Sequence, residues 1–162
     1  MGVEKKEPVS FVDGIGEYRL AILNYTTSIK TEKTSGEIQQ ILALAGAQAI
    51  MTEYDSERIM CAMSFRIDTP HGMITFRLPA NAEGVYRCIC SSNVARSYKT
   101  REQAARTAWR ILKSWIEAQL AIVDAEMSVI TEVFLPYAQN SQGQTVYQAL
   151  EAGGFKQLTH DS

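Results

Sequence analysis

Histidine, cysteine and proline are scarce in this chain: of 162 residues, two are His, three are Cys and four are Pro. There is no Gly-rich phosphate loop, no G-x-S-x-G elbow and no H-E-x-x-H, so the common nucleotide-hydrolysing, esterase and zinc-protease signatures are absent. Cys88-x-Cys90 lacks the second pair that a zinc site requires, and small apolar packing is the better reading of both residues. With Cys61 the cysteine count is odd, which fits a reducing compartment. No apolar run is long enough to span a bilayer. "MGVEKKEPVSFVDGIGEYRL" has no uninterrupted apolar core, so a secretory signal is not expected. The expectation is a cytoplasmic protein, which includes the cytoplasm of a host cell, with no cofactor, no metal and no membrane partner.

Neither sign of charge dominates. Sixteen Lys and Arg stand against eighteen Asp and Glu, a formal net charge of -2. Bulk charge therefore predicts no polyanion partner, and any such site must come from a local cluster. A hydrophobic content of 46% over this length is enough for one domain with a real core.

The chain divides into an N-terminal segment, 1–33, a core, 34–136, and a tail, 137–162. The first mixes Pro, Gly and charge, with a candidate edge strand at Tyr18 to Leu23. Thr34 followed by Glu37 has the form of a capping box. Ile38, Ile41, Leu42 and Ala45 then share one helical face and Gly46 offers a stop, which predicts a helix over 35–45. Three strand-like runs follow: "AQAIMTEY", "IMCAMSFRI" and "MITFRL", separated by the turns "DSER" and "TPHG". In the second run Ile59, Cys61, Met63, Phe65 and Ile67 alternate with Met60, Ala62, Ser64, Arg66 and Asp68. Short turns imply an antiparallel meander, with a helix over its apolar side.

"NAEGVYRCIC" reads as a short helix capped by Asn81. Thr100 with Gln103 forms a second capping box, and no Pro or Gly occurs from Arg101 to Leu135. An unbroken helix there would be about 50 Å long, in a domain whose radius of gyration should be about 15 Å. It must overhang the sheet or break near Asp124. Ala104, Ala108, Ile111, Trp115, Ala118, Ile122, Ala125 and Val129 make a heptad-like stripe along it. In the tail, "TVYQALEA" reads as a short helix stopped by Gly153 and Gly154. The fold class is α+β: a three- to four-stranded antiparallel sheet packed by a short N-terminal helix and a long C-terminal helix.

The strongest functional signal is basic. Between Arg96 and Lys113 lie six cations, Arg96, Lys99, Arg101, Arg106, Arg110 and Lys113, with Glu102 as the one acid. Arg106, Arg110 and Lys113 fall on one helix face, and Lys99 and Arg101 sit at the helix start, where backbone amides favour anions. That pattern suits phosphate contacts. The competing reading is a solvated face whose stems lie on an apolar shoulder. Arg66 and Arg77 could add a second basic patch on the sheet, or pair across strands with Glu53 or Asp68. His71 beside Asp68 is a candidate acid–base pair, although a turn histidine is more often only that. Glu53, Asp55, Glu57 and Asp68 gather carboxylates near one end of the strands without nuclease-like spacing to a lysine.

The helix, three-strand, helix order is similar to that of the double-stranded RNA-binding domain, and "YKTREQAARTAWRIL" resembles that family's second helix. "TPHGMITF" departs from it, because the family's Pro-x-His loop lies one connection earlier. "MTEYD", "FRIDTPHGMITFRLPAN" and "YKTREQAARTAWRILKSWIEAQLA" resemble small uncharacterised proteins of bacterial phages and related mobile elements. That resemblance implies a host cytoplasm, with nucleic acid or host factors as targets. The expected function is non-enzymatic nucleic-acid binding through Lys99, Arg101, Arg106, Arg110 and Lys113, aided by Arg66 and Arg77. The alternative is a protein–protein interaction module, either a homodimer through the Ala104 to Val129 stripe or an inhibitor of a host protein.

Overall fold

The computed structural model describes residues 21–160. Its elements run α1 (Thr31–Leu44), β1 (Ala47–Tyr54), β2 (Met60–Thr69), β3 (Gly72–Pro79), α2 (Ala82–Ser91), α3 (Arg101–Asp124), α4 (Ile130–Val133) and α5 (Val146–Ala152), with 3₁₀ turns at Arg96–Tyr98 and Leu135–Tyr137. The strands form one antiparallel sheet in the order β1-β2-β3. No helix among the described residues is long and apolar enough to cross a membrane.

Strand register explains the two sheet faces. Phe65 lies opposite Ile50 and Phe76, Met63 opposite Thr52 and Leu78, and Ile67 opposite Ile74. This face carries the core, with Met63, Phe65, Phe76 and Leu78 almost completely buried. The Phe65 and Phe76 rings stack at 5.2 Å, and Phe134 meets Phe65 edge-on at 5.4 Å. Trp115 in turn meets Phe134 edge-on, so the segment after α3 helps to fill the core. Such pairs add about 1 kcal/mol each beyond their area.

α1 begins one turn earlier than its sequence suggests. Its N-cap is Lys30, and the Thr34 amide already bonds the Lys30 carbonyl at 3.1 Å. Thr34 is therefore interior, not a cap, and its buried hydroxyl has no hydrogen-bond partner. Gly46 ends the helix turn at φ +103°, the left-handed region that glycine enters without a Cβ clash. Asn81 caps α2 as expected, accepting from the Gly84 amide at 2.9 Å.

Thr100 caps α3 through the Gln103 amide, at 3.1 Å. The Gln103 side chain does not complete a capping box. It donates instead to the carbonyls of Tyr25 and Thr27, at 2.7 and 2.8 Å, and so straps the lead-in segment to the helix. Of the two outcomes expected for the long helix, the break is the one that occurs. α3 stops at Asp124 after 24 residues, about 36 Å. Glu126 adopts φ 58°, and the Met127 amide bonds the Ile122 carbonyl at 3.1 Å. This is a Schellman closure with Glu in the place usually held by Gly. The reversal brings α4 and Phe134 back onto the sheet.

The strand expected over 18–23 lies largely outside the described residues. Within them, residues 23–26 form a turn. The addition to the sheet comes from the tail instead: Ala138 bridges Phe76, and the Gln139 amide donates to the Thr75 carbonyl at 2.8 Å. The tail helix α5 has a full capping box between Thr145 and Gln148.

Candidate functional site

The basic residues nominated from the sequence do not form one open face. Arg110 donates to the Glu37 carboxylate of α1 at 2.6 Å, and Lys113 lies 3.8 Å from the same oxygen. Lys113 also pairs with Glu117 one turn on. Arg106 bonds Glu102 at 2.7 Å and the Gln103 amide oxygen at 2.8 Å. Three cations of the helix face thus meet three carboxylates, and Arg106, Arg110 and Lys113 are 23%, 21% and 15% exposed. Arg110 and Lys113 reach across the α1–α3 seam, where α1 supplies acid that linear spacing along α3 does not show.

Lys99 donates to the Cys90 carbonyl at 3.4 Å. Arg101 is more open; it pairs with Glu83 of α2, which raises its pKa, and its guanidinium lies 4.5 Å from the Tyr86 ring centre.

On the outer sheet face, Arg77 binds Glu53 through two nitrogens at 3.0 and 2.7 Å, and Ser64 donates to the same carboxylate at 3.4 Å. Arg77 therefore takes the cross-strand pairing. Its hydrogen bonds hold the Glu53 pKa below the ordinary value, and the carboxylate raises that of Arg77. Arg66 is exposed beside this network and has no ion-pair partner among the described residues. Asp68 and His71 are both exposed, and no hydrogen bond or ion pair joins them. The His71 amide donates to Thr69 Oγ1 within the hairpin turn. Cys88 and Cys90 are exposed rather than packed, and Cys61 is half-buried. No group of three His, Cys, Asp or Glu residues among those described is placed to hold a metal ion.

A different assembly of charge lies where α1 and α3 begin. A cleft of about 760 Å³ opens there, lined by Lys30 at the start of α1, Arg58 from the β1–β2 turn, and Arg101 and Arg106 of α3. Glu32 and Glu102 supply its two carboxylates; Tyr54, Ile59, Met60 and Ala105 complete the wall with Thr31. The β1–β2 turn is built by Asp55, whose carboxylate accepts from the Glu57 and Ile59 amides at 2.8 and 3.0 Å. That turn puts Arg58 at φ 62°, in the left-handed region. A non-glycine residue there costs about 1 kcal/mol.

Two of the four cleft cations, Arg101 and Arg106, belong to the set nominated from the sequence. Lys30 and Arg58 do not. Lys30 has only Lys33 near it along the chain and Arg58 lies among the acids Asp55 and Glu57, so no short-range pattern marks either as part of a basic cluster. The cleft also places the exposed Tyr54 ring beside them. No family model, no curated protein and no solved structure matches this chain.

Proposed function

We propose that this protein is a non-enzymatic nucleic-acid-binding protein that grips phosphates at the cleft between the beginnings of α1 and α3. The observation that carries the reading is the convergence of Lys30, Arg58, Arg101 and Arg106 from three parts of the chain onto one cleft. Lys30 and Arg58 have no ion-pair partner among the described residues, so their charge is available to a ligand. Arg66 on the outer sheet face is a further free cation for a longer ligand. The setting implied by the sequence resemblance, the cytoplasm of a host cell carrying a phage or mobile element, agrees with such a role.

Filter binding to single- and double-stranded DNA and RNA at low salt tests it. Retention that falls steeply with added salt is expected; no retention of any of the four refutes the reading.

The open β1 edge favours a second reading, an interaction module. Leu44 before that edge is 91% exposed and Met51 on it 57%. A homodimer or a host-protein inhibitor would use such a surface. Light scattering discriminates, since a clean monomer at high concentration argues against self-association.

A further inference from the structure

We infer that the cleft takes a terminal phosphomonoester, the 5′ end of a nucleic-acid strand or a free nucleotide, rather than the internal phosphates of a continuous backbone. The inference rests on the phosphate-binding reading above and narrows it.

Charge is the first argument. Four cations line the cleft; Arg101 and Arg106 are paired with Glu83 and Glu102, while Lys30 and Arg58 have no ion-pair partner among the described residues. A phosphomonoester carries about −1.5 to −2 at neutral pH, whereas a backbone diester carries about −1. Lys30 and Arg58, the two cleft cations without a partner, can each meet one charge of the dianion.

Shape is the second. At about 760 Å³ the half-open cleft has room for one small ligand. Met60 and Ala105, both 7% exposed, form its buried base. A continuous strand must leave a site at both sides, while a chain end can stop against such a base.

The third is the rim. Tyr54 lines the cleft with 61% of its surface open, and a tyrosine face is a platform for a terminal base. Arg58 stands four residues on, its strained backbone held by Asp55. Strain of this kind persists where the surrounding structure imposes it, and it concentrates at binding sites.

The test is fluorescence anisotropy with one single-stranded DNA sequence carrying either a 5′-phosphate or a 5′-hydroxyl, with adenosine 5′-monophosphate as competitor. The phosphorylated strand is expected to bind about tenfold more tightly, and Arg58→Asn and Lys30→Gln each to shrink that ratio. Asn tolerates the left-handed turn, so the first variant keeps its fold. Equal binding of the two strands overturns the inference and leaves the nucleic-acid reading standing. Binding of the mononucleotide alone overturns that reading and supports the inference with a free nucleotide as ligand. Binding of none overturns both.

Discussion

Glu37 of α1 accepts a hydrogen bond from Arg110 of α3 at 2.6 Å, with Lys113 beside the same carboxylate oxygen. The two helices are thereby joined by charge as well as by packing, and two of the three cations in the most regular basic row of the sequence, Arg110 and Lys113, are engaged within the molecule. Arg110→Gln should therefore change nucleic-acid affinity by less than about threefold, while Arg58→Asn weakens it by about tenfold. Filter binding of both variants beside the parent decides it. The reverse order would return the site to the side of α3.

Salt dependence should report a small number of contacts. With four cleft cations, the logarithmic slope of affinity against salt for a single strand should be no steeper than about −3. A slope near zero would show that phosphates are not the contacts.

Thr34 should be replaceable to advantage. Its hydroxyl is buried and unpartnered, and such a group costs about 1–3 kcal/mol. Thr34→Val keeps the shape and removes the orphan, so chemical denaturation should show a gain of about 1 kcal/mol.

Trp109 should not be. Its indole N–H donates to the Met60 carbonyl at 3.1 Å in a fully buried position. Trp109→Phe removes the donor and leaves a void, at a cost of about 2 kcal/mol or more in the same measurement.

Glu53 makes stability fall with acid. Its folded pKa lies below the unfolded value of 4.5, first because Arg77 hydrogen-bonds the carboxylate. The contribution is therefore fully present above 4.5 and is lost as pH falls through the lower folded value. Glu53→Gln should flatten the acid limb of a pH–stability profile, and an unchanged limb would assign it to other carboxylates.

Period-two alternation made the strands legible, because each side of the sheet meets a different environment. Gly46 and Asn81 were legible for a similar reason: their local chemistry alone selects a turn and a cap. Thr34 was not, since Thr-x-x-Glu looks the same whether it starts a helix or lies within one. The choice was made by Lys30 beginning the helix a turn earlier, and by Glu37 facing Arg110 across 73 positions. The cleft was illegible for the same kind of reason. Lys30, Arg58 and Arg101 meet only through tertiary packing, and a window along the chain never holds them together.

The bridge from Ala138 to Phe76 has one more consequence. It obstructs the outer side of β3 at mid-length, while β1 keeps its outer side uncovered among the described residues. Lateral growth of the sheet is therefore one-sided. A strand added from outside can pair with β1, while the tail already occupies part of the β3 edge. The tail thereby blunts one of the two edges that a sheet of this order presents.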